Sequence, residues 1–199
     1  MIEIIVAHYN DLHFEETLTH FVDHKITIYD KSNKYGSNTY KDVRPLENIG
    51  REGETYIRHI IENYDSLSNY TVFIQDDTGN HIIDNKAFYN KTLAIVDSGT
   101  PFHIYEVSWR PGGRPHRRMI RDGHSNLITF ANPYSIRDAC QRLGITLPEK
   151  YIVQTCAFLI VHRERIRSRP KEFYVKLREW LLEHPGNGYA LEHMWAIIF

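Results

Sequence analysis

Apolar residues along this chain come in short runs separated by polar turns, and the spacing inside each run predicts its element. Residues 2–7 (IEIIVA) are a compact run of β-formers, the pattern of a strand buried in a parallel sheet. Polar His8, Tyr9, Asn10 and Asp11 follow it directly, where a first strand of an open α/β sheet meets its ligand. A helix is predicted over Phe14 to Val22. A second strand, KITIY at 25–29, ends in Asp30, and the polar segment 31–45 reads as a loop. The turn Asn48–Ile49–Gly50 then opens a helix with Arg51, Glu52 and Glu54 in its first turn. Tyr56, Ile57, Ile60, Ile61 and Tyr64 recur in that helix at helical spacing. A link at 65–69 leads to the strand Tyr70 to Gln75, which ends in Asp76 and Asp77. Strand, helix, strand, helix, strand predicts a parallel sheet with right-handed crossovers.

Beyond Asp77 the pattern weakens. A helix is expected at 85–93, a strand at 94–96 and an alternating strand at 103–109, followed by an arginine-rich loop at 110–124. A helix over Ser135 to Leu143 is stopped by Gly144. YIVQTCAFLIV (151–161) reads as the last strong strand. Pro170 suits the first turn of a helix with Phe173, Leu177, Trp180 and Leu181 on one stripe. A final helix is expected over Tyr189 to Phe199. No internal repeat or domain boundary interrupts the chain, so one domain over 1–199 is predicted.

Composition narrows the class of partner. The 199 residues are 42% hydrophobic and 25% charged, with a net charge of −1, which gives no general case for nucleic acid or membrane binding. No segment has the ~20 apolar residues of a membrane span. No signal peptide precedes the first strand, which predicts a cytoplasmic location. Two cysteines make neither a disulfide framework nor a zinc site, and Cys156 lies in an apolar run where a small core residue is expected. Thirteen tyrosines suit either core filling or stacking on bases and sugars.

Several groups of residues admit chemistry, each beside a plainer structural reading. Asp76 and Asp77, adjacent at a strand end, can hold Mg²⁺ or Mn²⁺, or can be a polar turn. Gly50 and Arg51 at a helix start can hold an anion, or Arg51 can pair with Glu52 or Glu54. Asp30 can accept a ribose hydroxyl, although the chain has neither a dinucleotide-binding glycine motif nor a P-loop. Glu192, beside His193, can serve as a general base or sit on the surface of an amphipathic helix. Arg110, Arg114, Arg117, Arg118 and Arg121 can clamp phosphates or form a solvated loop.

VAHYN, IYDKS, ENIGREGETYIRHIIENYDSL and TVFIQ in the first half resemble a family of uncharacterised domains of fungi, algae, bacteria and large viruses. FLIVHRERIRSRPKEFYVKL and GYALEHMWAIIF continue the pattern, so the likeness covers both ends and is poor over 82–150. That family looks like a compact glycosyltransferase of the GT-A type. The resemblance implies a single Rossmann-like domain with a mostly parallel sheet flanked by helices, a nucleotide-binding half at 1–80 and an acceptor-side half at 100–199. It implies a nucleotide-sugar donor, UDP-linked by analogy, held by Ala7, His8, Tyr9, Asn10, Asp30, Gly50, Arg51, Gln75 and Asp76. It also implies Mn²⁺ or Mg²⁺ on Asp76 and Asp77, with His193 or His162 as a further ligand. The resemblance further implies Asp77 and Glu192 as the catalytic carboxylates and a glycan or glycoprotein as the acceptor. The family's usual motif is Asp-x-Asp, whereas this chain reads Asp76-Asp77-Thr78. Alternatives are a non-catalytic nucleotide- or carbohydrate-binding module of the same fold and a nucleotide-sugar hydrolase.

Overall fold

The structure, a computed structural model, describes residues 1–36, 39–105, 117–121, 135–154 and 157–199. Strand β1 (Ile2–His8) leads to helix α1 (His13–Leu18), which tightens into a 3₁₀ turn at Thr19–Phe21 before β2 (Lys25–Asp30). A short β3 (Val43–Pro45) lies inside the segment expected as loop. It adds to the sheet edge beside β2, with Ile28 opposite Val43. Helix α2 (Arg51–Asn63) returns the chain to β4 (Tyr70–Gln75).

These strands pair in parallel. Ile4 lies opposite Ile26 of β2 and Val72 of β4, so β1 is flanked on both sides and all seven of its residues are buried. Its apolar run serves both faces. Ile5, Ala7, Tyr29 and Phe73 pack on one side with Tyr56, Ile57 and Ile60 of α2. Ile4, Val6, Ile28, Val72 and Ile74 pack on the other with Phe14 and Leu18 of α1. The connection from β1 therefore crosses one face and the connection into β4 crosses the opposite face. The winding reverses between β1 and β4, and there the carboxyl ends of the two strands open a crevice.

After β4 come α3 (Thr78–His81) and α4 (Asn85–Asp97). Helix α4 absorbs residues 94–96, which were expected as strand. Asp84 caps it by accepting the Ala87 N–H at 2.9 Å, and Phe88, Thr92 and Ile95 are buried on one face. Three helical turns bury that stripe together, which a three-residue strand could not. Next come β5 (Phe102–Ile104), β6 (Arg117–Arg121), α5 (Ser135–Leu143), β7 (Lys150–Gln154) and β8 (Leu159–His162). The expected single strand at 151–161 is thus two. β7 pairs with β6 in a separate two-stranded sheet, while β8 enters the main sheet antiparallel to β4 and β5. An apolar run shows only that both ends are buried, and different partners separate them. β6 also replaces part of the expected arginine-rich loop. Arg110, Arg114 and Cys156 lie outside the described residues, as does most of the strand expected at 103–109.

Helices α6 (Arg163–Arg167), α7 (Lys171–Glu183), α8 (Asn187–Glu192) and α9 (Trp195–Ile198) close the chain, the last two dividing the single helix expected at 189–199. The main sheet has six strands in the order β3-β2-β1-β4-β8-β5, parallel over its first four. α5, α7, α8 and α9 join α2 on one face through Trp180, Leu191 and Trp195. Among the described residues no helix is long and apolar enough to cross a membrane.

Candidate functional site

The crevice is built from three chain segments. The first is the turn after β1, held by Asp76 at the end of β4. One Asp76 oxygen accepts the backbone N–H groups of Tyr9 at 2.7 Å, Asn10 at 2.9 Å and Asp11 at 3.0 Å. His8 Nδ1 lies 3.2 Å from the same oxygen. Burial pushes the Asp76 pKa up, but His8 and the three amides outweigh it and hold the carboxyl below the usual aspartate range. Its neighbour Asp77 is a third exposed and has different partners. Gln75 donates to one of its oxygens, and His81 Nε2 is 3.1 Å from the other.

The second segment follows β2. Asp30 accepts from the Ser32 N–H and hydroxyl and from the Tyr35 N–H at 3.0 Å, which folds the chain over the end of the strand. His8 is buried between the two acids, with Nε2 3.9 Å from Asp30, and packs its ring 4.7 Å from that of Tyr35. Asp30 and Asp76 thus brace the two loops through one imidazole.

The third segment is the start of α2. Gly50 and Arg51 both have left-handed backbones, with φ of 61° and 56°. Glycine tolerates this, whereas arginine does so at a cost of ~1–2 kcal/mol. Lys31 offsets that cost. Its buried ammonium donates to the Ile49 carbonyl at 2.6 Å and to the Arg51 carbonyl, and it lies 3.6 Å from Glu54. Fully buried Glu54 is also met by Arg58 at 2.9 Å and Arg178 at 2.8 Å, which ties α2 to α7. The Arg51 side chain lies over the Tyr189 ring, 4.3 Å from its centroid. It reaches Glu52 at 3.5 Å and Glu192 at 3.6 Å. Burial, then the charge of the neighbouring Glu52 carboxyl, push the Glu192 pKa up to about 8 against the pull of Arg51.

Together these segments enclose a cavity of about 260 Å³ lined by Ala7, His8, Tyr9, Lys31, Asn48, Arg51, Glu52, Gln75, Asp76 and Asp77. His8 and Tyr9 also line a cleft of about 630 Å³ with Asn10, Leu12, Glu15, Ser32, Lys34, Tyr35 and Gly36. Asn48 and Arg51 also line an apolar groove of about 450 Å³ with Ile49, Gly50 and Leu181, Leu182, His184 and Pro185.

Most residues singled out from the sequence therefore meet here. Ala7, His8, Tyr9, Arg51, Gln75, Asp76 and Asp77 share the central cavity, Asn10 faces the cleft, and Gly50 faces the groove. Asp30 lines neither cavity nor cleft and acts as a brace. Glu192 stands behind Arg51 and Glu52, outside the cavity lining. His193 is buried, with Nδ1 2.8 Å from the Tyr189 carbonyl, and His162 caps α6 by accepting the Glu164 N–H. Neither histidine reaches the cavity. Among the described residues no group of three or more His, Cys, Asp or Glu side chains is placed to hold a metal ion. Asp77 is a cavity-lining carboxylate a third exposed, so one of its oxygens is open to a cation that would take its remaining ligands from phosphate and water. Lys31 and Glu52 were not read as site residues. Both adjoin residues that were, Asp30 and Arg51, but their direction into the cavity follows from the turns around them.

The fold and this crevice define a mixed α/β protein with a polar cavity where the strand order reverses, the position at which such sheets bind ligands. Residues 4–199 match the family described as a protein of unknown function (DUF3431), and the chain belongs to that family. No curated protein and no solved structure matches it.

Proposed function

We propose that this protein is a GT-A-type glycosyltransferase that moves a sugar from a nucleoside-diphosphate sugar, UDP-linked in the first instance, to a hydroxyl of a glycan or protein-linked acceptor. The observation that carries the reading is the adjacency of two spaces at the strand-order reversal. A cleft with Tyr9 and Tyr35 on its walls shares His8 and Tyr9 with a cavity that carries both charge signs. The cleft suits a nucleoside, because tyrosine faces stack on bases and Ser32, Asn10 and Glu15 offer partners for ribose hydroxyls. The cavity suits the diphosphate and sugar, because Arg51 supplies a guanidinium and the turn after β1 is already fixed by Asp76.

In this reading Arg51 binds the diphosphate and Asp30 and Asp76 keep the two loops at a fixed separation. Asp77 would hold Mn²⁺ or Mg²⁺ against the diphosphate, and the cation would supply neutralisation of the leaving group's charge. The anomeric carbon passes through an oxocarbenium-like state as its bond to the diphosphate breaks. Of the carboxylates around Arg51, Glu52 lines the cavity and neither lines the nucleoside cleft.

The test is nucleotide release from a panel of UDP- and GDP-sugars, with Mn²⁺ or with a chelator, alongside calorimetric binding of each donor. Expected is binding of at least one donor and its turnover, with Asp77→Ala lowering kcat by ~10²-fold. Binding without turnover, unchanged by Asp77→Ala, would identify a non-catalytic module. Turnover to free sugar alone, whatever acceptor is offered, would identify a hydrolase.

A further inference from the structure

We infer that Glu52, rather than Glu192, is the carboxylate that accepts the acceptor hydroxyl's proton, with Glu192 as the positioning residue behind it. This rests on the glycosyl-transfer reading for the identity of the hydroxyl, and on the following geometry for the choice of residue.

Glu52 lies in the first turn of α2 and lines the cavity with Asp77, Gln75 and Lys31, whereas Glu192 at the end of α8 does not line it. Arg51 is 3.5 Å from the one and 3.6 Å from the other, so it holds both carboxyls in one arrangement. Helix α8 comes close enough for this because residue 188 is glycine. A Cβ there would meet Arg51 Cδ at 2.7 Å and push the guanidinium aside. Two carboxyls held beside one guanidinium resist double ionisation. Burial and the neighbouring Glu52 carboxyl push Glu192 up to about 8, and Glu52 is the carboxyl of the two that lines the cavity. The other charged or titratable groups facing the pair are Arg51 and Tyr189, with Lys31 across the cavity from Glu52.

The step balances without a further reactant. The acceptor O–H bond breaks and its proton goes to a Glu52 oxygen. The electron pair released on the acceptor oxygen forms the new bond to the anomeric carbon. The bond from that carbon to the diphosphate oxygen breaks, and its pair leaves on the nucleoside diphosphate. Glu52 then returns its proton to water at the mouth of the cavity.

Two measurements on the full chain test this. The first follows glutamate labelled with ¹³C at Cδ by NMR from pH 5 to 10, in the wild type, Glu52→Gln and Glu192→Gln. Expected is a carboxyl step near pH 8 in the wild type. That step disappears in Glu192→Gln and moves toward the ordinary glutamate range in Glu52→Gln. The second is release of UDP from UDP-glucose, UDP-galactose and UDP-N-acetylglucosamine as a function of pH. Glu52→Gln should lose ~10²–10⁴-fold in kcat with KM little changed. Glu192→Gln should lose far less and displace the pH–rate profile. A step near pH 8 that survives Glu52→Gln unmoved, or a larger kcat loss in Glu192→Gln, overturns the assignment alone. Absence of turnover in the wild type with the NMR behaviour intact overturns the glycosyl-transfer reading and the base role that depends on it. If Glu52→Gln does not fold, Glu52→Asp takes its place. The shorter carboxylate should keep a measurable fraction of kcat, and complete loss counts against the base role.

Discussion

Asp76 and Asp77 are neighbours of the same type with opposite uses. Asp76 turns under the end of β1 and gathers three amides from a turn some 65 residues earlier in the chain, so it works as a strut. Asp77 points to the cavity and keeps solvent access. Asp76→Ala strands buried donors and should cost ~3 kcal/mol in urea-induced unfolding, while Asp77→Ala should stay within ~1 kcal/mol of the wild type. Equal losses would mean that Asp76 is not the strut described. The sign with pH follows from the depressed Asp76 pKa: its contribution is present above the ordinary aspartate range and lost as pH falls through the folded value. The acid pair was legible in the sequence as a place where chemistry could occur. Which acid is structural was not, because the deciding partners are backbone groups far away in the chain.

The start of α2 sets the geometry of the crevice. Gly50 has φ of 61°, and a Cβ there would lie 2.6 Å from Glu54 Cβ and 3.1 Å from Leu182. Gly50→Ala therefore combines a left-handed backbone with a clash against the buried Glu54–Arg178 link. It should cost ~2–4 kcal/mol, read as a fall in Tm of ~4–16 °C for a chain of this size. A Tm within ~2 °C of the wild type would show that the turn relaxes without loss. The glycine and the helix behind it were readable from the turn signal and the apolar period. Residues 94–96 are helical where a strand is expected, because Leu-Ala-Ile-Val fits either period until the face it packs against is known. The break between β7 and β8 was hidden for a related reason, since hydrophobicity records burial without recording the partner.

Across the whole molecule, two acids packed toward opposite ends of α2, Glu3 beside His59 and Glu192 beside Arg51, give stability two opposing pH dependences. Glu3 is buried in the central strand, where Ser68 donates to it at 3.3 Å and Lys25 pairs with it at 2.6 Å. Burial raises its pKa, but His59 and Lys25 outweigh this and bring it to about 2. Glu3 therefore contributes stability that is complete above about 4.5 and is lost as pH falls toward about 2. Glu192 acts in the reverse sense. Its folded pKa is raised, so its contribution is present below the ordinary glutamate value and is lost as pH rises toward about 8. Unfolding free energies across pH should show a maximum between these limbs. Glu192→Gln should flatten the alkaline limb and leave the acid limb intact, and Glu3→Gln should do the reverse. An alkaline limb unchanged in Glu192→Gln would count against the raised Glu192 pKa.

The sequence by itself determined the alternation of strands and helices through Gln75, the burial of β1 on both faces, and the residues that close the first strand, the fourth strand and the turn before α2. Those are local properties, set by side-chain period, glycine and the polarity that follows an apolar run. Only the tertiary structure decided that the winding reverses between β1 and β4, that Asp30 and Asp76 brace loops through His8, and that Glu52 faces the cavity with Glu192 behind it. Each of these depends on segments far apart in the chain meeting at one sheet edge. The direction of a side chain at that edge is set by the packing and hydrogen bonds of the segments around it, which spacing along the chain does not encode.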